Sequence, residues 1–184
     1  FLHCSGYKSN DSNYTNYFGK IYEARYLSGL AAGSLTESNK IGYVAAFPIP
    51  EVIRGINAFA NGVKEVNPNA TVEVVWTNTW FGPEEETQAA NALLEAGADV
   101  LTQHQDSAST GIAAEAAGAK WIGYHTGYGQ EAAPNAFVTA PVWNWGPLYT
   151  EMVNAVINDE FTTTPYWTGM SDNVVDLFEV SDDV

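Results

Sequence analysis

The segment Ile41-Gly42-Tyr43-Val44-Ala45-Ala46-Phe47 is a continuous apolar run of the length of one β-strand. A run without alternation is typical of a strand that is buried on both faces, as the strands of parallel sheets are. Directly after it, apolar residues recur at helical spacing, at Val52, Ile56, Phe59, Val63 and Val66. The segment therefore predicts one β-α unit of a parallel sheet.

The same alternation of strand and helix continues along the chain, and the loops between the elements are short. This pattern predicts an α/β fold, a three-layer Rossmann-like parallel sheet with helices on both faces. We place the further strands at residues 71–77, 98–103, 120–124 and 136–142, and helices that begin at Pro83, Ser107 and Pro147.

The pattern of elements divides the chain into three parts. Residues 1–36 hold a predicted strand and a predicted helix at residues 17–32, too few for a lobe, so we interpret them as the remnant of an N-terminal lobe and an inter-lobe crossover. We expect them to pack on elements outside this chain. Residues 37–165 form the predicted ligand-binding α/β lobe, and residues 166–184 a strand region that returns toward the hinge. Both ends lie against strand-like segments, so we expect a processed or fragmentary chain.

The chain is strongly acidic, with 22 acidic against 7 basic residues and a net charge of −15. A nucleic-acid partner requires clustered Lys and Arg, so this composition predicts no nucleic-acid partner. It also disfavours an anionic membrane surface. Cys4 is the only cysteine, and we expect its thiol to be buried and inert.

In an open parallel sheet, ligands bind beyond the carboxyl ends of the strands. The loops that follow the predicted strands carry mainly aromatic and neutral polar side chains, which suit a flat ligand held by stacking and oriented by a few hydrogen bonds. Phe47 and Phe81 have an alternative role as core residues, Trp143 as a packing residue, and Asp106 as a helix N-cap. The predicted ligand-binding residues are Phe47, Asn78, Trp80, Phe81, His104, Asp106, His125 and Trp143.

Motifs of common enzymes are absent from the sequence. It contains no GxGxxG, P-loop, GxSxG, CxxC or HExxH. We therefore predict a binding protein without a cofactor, a metal or catalytic residues. The alternative is an enzyme on the same kind of sheet, in which His104, Asp106 and His125 act as metal ligands or acid/base groups.

Several segments resemble the basic membrane protein (BMP) family of ABC-transporter substrate-binding lipoproteins, and the resemblance extends over nearly all of the chain. Residues 142–147 are similar to the branch of that family associated with purine bases, and residues 22–29 resemble the inter-lobe helix of the family. The segments are 41–59, 75–81, 97–100 with Gln103-His104 and Asp106-Ser107, and Val142-Trp143-Asn144-Trp145-Gly146-Pro147.

The resemblance implies a type I periplasmic-binding-protein fold with one lobe complete and the other partial. It also implies an extracytoplasmic protein, periplasmic or lipid-anchored, that binds a purine or nucleoside between two lobes and delivers it to an ABC permease. Nucleoside-binding members carry an Asp where His125 stands and a Lys where Trp143 stands. The Asp holds ribose hydroxyls and the Lys contacts the ligand in those members; since both are replaced here, we expect a bare aromatic base stacked on Trp143.

Overall fold

Strands and helices alternate along the chain, as the sequence predicts. The computed structural model describes residues 1–182 and 184. The elements are β1 (Leu2–Cys4), β2 (Thr15–Gly19), α1 (Tyr22–Leu35), β3 (Lys40–Ala45), α2 (Pro50–Val66), β4 (Thr71–Trp76), α3 (Pro83–Glu95), β5 (Val100–His104), α4 (Ser109–Ala117), β6 (Lys120–Ile122), α5 (Gly129–Ala132), β7 (Phe137–Thr139), β8 (Pro141–Trp143), α6 (Gly146–Ile157), β9 (Tyr166–Thr168) and β10 (Val175–Leu177).

The main sheet has five strands in the order β4-β3-β5-β6-β7, and every neighbouring pair is parallel. β3 and β5 lie inside the sheet, and nearly all of their residues are buried. Burial on both faces explains why the sequence of these strands does not alternate between polar and apolar residues. The predicted α/β class is confirmed.

Helices cover both faces of the main sheet. Successive strand residues point to opposite faces, so Tyr43 packs with Phe59 of α2 while Val44 packs with Leu93 of α3. Trp121 of β6 joins the cluster under α3 and α4. The three layers that the sequence predicts are present. Within the described part of the chain, no helix has both the length and the hydrophobicity of a membrane-spanning segment.

The predicted strand at residues 136–142 is wrong in its extent. β7 ends at Thr139, and the chain resumes as β8, which pairs antiparallel with β10 instead of extending the main sheet. Pro141 begins β8, and proline has no N–H with which to continue a sheet ladder. The break moves Trp143 out of the main sheet and onto a separate strand pair.

Residues 1–19 and β9 form a second, smaller sheet. β1, β2 and β9 are parallel in that order, so β2 near the start of the chain pairs with Tyr166–Thr168. The predicted helix start at residue 17 is wrong, because Thr15 to Gly19 bury alternate residues in a strand rich in β-forming side chains. Cys4, which we expected to be buried, is exposed at the end of β1.

Helix α1 packs closely along α2 within this chain, whereas we expected residues 1–36 to pack on elements outside it. Two glycines allow this approach. A Cβ at Gly29 would collide with the carbonyl oxygen of Phe59, and a Cβ at Gly62 with the carbonyl oxygen of Tyr26. The two helix backbones are therefore as close as they can be without side chains between them.

The variant Gly62→Ala should be destabilised by about 1–3 kcal/mol, because the added methyl group meets backbone atoms that cannot move aside independently. The free energy of unfolding in urea measures this effect. Gly146→Ala is the matched control, since a Cβ there meets only the Asn144 side chain at 3.8 Å. Equal stability of the two variants would contradict the close packing of α1 on α2.

Candidate functional site

A cavity of about 390 Å³ lies between the main sheet and the smaller sheet. The main sheet contributes residues at or beyond the carboxyl ends of its strands, and the smaller sheet contributes residues of β1 and β2. The cavity is thus enclosed from two sides by elements far apart in sequence. Its lining residues are Cys4, Ser5, Phe18, Glu51, Trp80, His104, Asp106, Tyr124, His125, Trp143 and Trp145.

The structure brings part of the predicted set together in this cavity and leaves part of it outside. Phe47 lies behind Trp80, with 5.2 Å between the ring centroids, and does not line the cavity. Phe81 is 64% exposed, and Asn78 is exposed with a positive φ of 57°; neither reaches the cavity. The predicted residues that do line it are Trp80, His104, Asp106, His125 and Trp143.

Sequence reasoning did not select several of the lining residues, chief among them Glu51, Tyr124 and Phe18. Glu51 follows Pro50 in the first turn of α2, where acidic residues are common for electrostatic reasons alone. Phe18 belongs to the smaller sheet, whose position relative to the main sheet has no signature in the sequence. A signal existed for Glu51, which ends the loop after the first predicted strand, and for Tyr124, which precedes His125 at the end of another.

His125 is held by a hydrogen bond at each ring nitrogen. Trp143 Nε1–H donates to His125 Nδ1 at 2.9 Å, so Nδ1 carries no hydrogen, and the Nε2–H donates to Asp106 Oδ1 at 2.7 Å. Its φ is +68°, a conformation that non-glycine residues seldom adopt. Asp106 therefore orients an imidazole and does not cap α4, whose N-terminus has no side-chain cap.

Aromatic rings form one wall of the cavity. Trp143 and Trp145 are stacked, with centroids 4.9 Å apart and an interplanar angle of 15°. Tyr149 continues the stack beyond Trp145, and Phe18 leans on Trp143 at 5.1 Å. Because the N–H of Trp143 is already bonded to His125, the indole can offer a ligand only its ring surface.

His104 is neutral at physiological pH. It is only 2% exposed, and burial lowers its pKa to about 4, an effect that the charge of Arg25 increases and that Glu51 opposes. Its Nε2 lies 3.6 Å from Glu51 Oε1, while its Nδ1 has no hydrogen-bond partner among the described residues. The Tyr124 ring packs against it at 4.3 Å.

Arg25 of α1 is buried next to the floor of the cavity, which the end of β5 forms at His104. Its Nη2 donates to the backbone carbonyl of Gln103 at 2.7 Å, and its guanidinium lies 4.2 Å from the centroid of the Tyr124 ring. The carbonyl that it binds precedes His104. The cation therefore ties the helix that leaves the smaller sheet to the strand end that forms the floor of the cavity.

The arrangement is suited to holding a small molecule. Within residues 1–182 and 184, no three His, Cys, Asp or Glu side chains converge as a metal site, so the alternative of a metal centre at His104, Asp106 and His125 has no such cluster to support it. Both nitrogens of His125 are occupied, and His104 is buried and neutral. Aromatic surfaces and two carboxylates, from Glu51 and Asp106, remain for contact.

The family model of PnrA-like ABC transporter substrate-binding proteins (Bmp) matches residues 1–184. The chain is 44% identical to a putative ABC transporter glucose-binding protein of Haloferax volcanii, over 97% of this chain and 45% of that protein. It is 37% identical to a purine-binding protein of Brucella abortus, over 96% of this chain and 50% of that protein. The chain thus spans about half the length of the curated relatives it matches.

Solved structures share the fold at lower sequence identity. An ABC transporter solute-binding protein from Conexibacter woesei superposes with a TM-score of 0.79 at 22% identity, over 98% of this chain and 61% of that chain. A transcriptional activator of the comK gene from Bacillus halodurans gives a TM-score of 0.89 at 22% identity, over 100% and 64%. These likenesses confirm the predicted type I periplasmic-binding-protein architecture.

Stability should depend on pH through His104. Between the ordinary pKa of 6.5 and the folded pKa of about 4, the unfolded chain binds a proton that the folded chain excludes. Lowering the pH through this window should therefore destabilise the fold, by up to about 3 kcal/mol from this residue. Urea unfolding of wild type and His104→Gln at about pH 7 and about pH 4.5 measures the difference.

The wild type should lose more stability on acidification than His104→Gln does, because the variant has no imidazole to protonate. His3→Gln is the control, since His3 is exposed on the surface, and it should behave as the wild type. If His104→Gln and the wild type lose stability equally, the neutral, buried state of His104 is wrong.

Proposed function

We propose that this chain, which belongs to the PnrA-like (Bmp) family of ABC transporter substrate-binding proteins, binds a purine base or nucleoside-like solute between two lobes and presents it to an ABC permease. The protein would act outside the cytoplasm, where such receptors meet their solutes. Its family consists of substrate-binding components of transporters, and the proposed role makes and breaks no covalent bond.

One observation carries the proposal: a flat aromatic wall stands in a cavity between two sheets. Trp143 and Trp145 present parallel rings there, and Trp80 lines the same space. A planar heterocycle gains about 0.5–1.5 kcal/mol from each aromatic contact beyond the burial of its surface. Trp143, Trp80, His104 and Asp106 are therefore the proposed ligand contacts, and His125 is proposed to hold Trp143 in place.

The position of the cavity supports a closing mechanism. We assign residues 1–36 to the remnant of one lobe with the crossover, residues 37–165 to the other lobe, and residues 166–184 to the return toward the hinge. A ligand that touches both lobes stabilises their closed arrangement, which the permease would recognise. Arg54 of α2 already reaches the smaller sheet, with its guanidinium 5.0 Å from the Trp167 ring of β9, the strand that pairs with β2.

A sugar is the second candidate ligand, because the relative from Haloferax volcanii is described as a putative glucose-binding protein. The purine is favoured by the parallel indole rings and by the second relative, which is described as purine-binding.

The variant Trp143→Ala should weaken purine binding at least about tenfold, because it removes the stacking surface. Isothermal titration calorimetry of the full chain with adenine, adenosine and glucose measures this. Trp143→Phe should retain much of the affinity, since it keeps an aromatic face although it loses one fused ring and the N–H that binds His125.

Tyr7→Ala is the control, because Tyr7 is an exposed aromatic residue that does not line the cavity. Unchanged purine affinity in a folded Trp143→Ala variant would remove Trp143 from the site. Binding of glucose without binding of adenine or adenosine would replace the purine with a sugar as the ligand.

A further inference from the structure

We infer that the cavity selects solutes that carry N–H donors on their edges and are neutral or cationic, through the carboxylates of Glu51 and Asp106, and that it rejects phosphorylated ones. This inference rests on the proposed function and specifies the chemical class of its ligand. Each carboxylate has a histidine beside it, His104 near Glu51 and His125 near Asp106, but the cavity lining contains no Lys and no Arg.

Glu51 reaches the cavity from the first turn of α2. Its side chain is 23% exposed, and its Oε1 lies 3.6 Å from the Nε2 of His104, which is too long for a strong hydrogen bond. Pro50 begins the helix, so the backbone of Glu51 is held in helical geometry at the edge of the cavity. The carboxylate thus keeps most of its capacity to accept hydrogen bonds.

Asp106 contributes the second carboxylate from the loop after β5. Its backbone N–H donates to the carbonyl of Trp80 at 2.9 Å, and its Oδ1 accepts from His125 at 2.7 Å. Its side chain is 45% exposed, and among the described residues no donor to its Oδ2 is found. One carboxylate oxygen is therefore oriented by the protein and the other is available to a ligand.

Two imidazoles lie beside these carboxylates. His104 is buried in its neutral form, and His125 has both ring nitrogens bonded, with Nδ1 accepting from Trp143 and Nε2 donating to Asp106. The nearest buried cation, Arg25, lies behind the Tyr124 ring and directs its Nη2 at the carbonyl of Gln103. The cavity therefore carries two negative charges that face its interior.

The buried Nδ1 of His104 supports the same preference for ligands that donate hydrogen bonds. His104 lines the cavity at 2% exposure, and its Nδ1 has no partner among the described residues. The Nε2 of His104 lies 3.6 Å from Glu51 Oε1, and in the tautomer that carries its hydrogen on Nε2 the Nδ1 can only accept. An ionised carboxylate also only accepts, so a ligand must provide the donors, and a phosphate group would add only like charge and further acceptors.

Two matched pairs of ligands test this inference by calorimetry on the full chain. Adenine differs from unsubstituted purine by one exocyclic amino group, and adenosine differs from AMP by one phosphate. We expect adenine to bind on the order of 10- to 100-fold more tightly than purine, as hydrogen bonds to a charged acceptor give. We expect adenosine to bind at least about 100-fold more tightly than AMP.

The variants Glu51→Gln and Asp106→Asn should each reduce both preferences, because they keep the shape of the side chain and remove its charge. Glu84→Gln is the control, since Glu84 is an exposed acid in the first turn of α3, and it should leave both preferences unchanged. Thermal unfolding of each variant without ligand separates loss of selectivity from loss of the fold.

Each result decides between the inference and the proposed function. If purines bind and neither pair shows a difference, the inference is wrong and the proposed function remains. If the preferences exist but persist in folded Glu51→Gln and Asp106→Asn variants, selection comes from other residues and the inference is also wrong. If none of the four compounds binds, both the inference and the purine-binding function are overturned.

Discussion

Parallel strands end at the same edge of their sheet, and the cavity depends on this constraint. β3 and β5 end at Ala45 and His104, and the chain leaves each strand toward the same side, so the loops that follow converge. The smaller sheet closes the space from the other side with residues of β1 and β2. The cavity requires several segments, because its lining residues come from several loops of the main sheet and from the smaller sheet.

A short chain of hydrogen bonds gives the cavity a definite chemical character. Asp106 accepts a hydrogen bond from the Nε2–H of His125, and His125 in turn accepts one from the indole N–H of Trp143. The carboxylate thus fixes the tautomer of an imidazole, and the imidazole fixes the plane of a stacking ring. Such coupling explains how a polar residue on one loop can position an aromatic surface on a separate strand pair.

The electrostatic balance of the site follows from where its charged groups are buried. Arg25 lies inside the fold and bonds to a backbone carbonyl, whereas Glu51 and Asp106 keep part of their surfaces at the cavity. Burial keeps His104 neutral, so it does not offset them. A chain with a net charge of −15 thereby carries its acidic character into this cavity as well as onto its surface.

The sequence by itself determined the α/β class, the main strands and helices, and the sheet edge to which Trp80, His104, Asp106 and His125 belong, because hydrophobic periodicity and strand order are local properties. Only the tertiary structure decided that Glu51 and Phe18 share the cavity and that Phe81 lies outside it. It also decided that residues 136–142 divide between two sheets, and that a second strand precedes α1. These features depend on contacts between residues distant in the chain, such as the pairing of β2 with β9, and the energies of such contacts leave no periodic trace in the sequence.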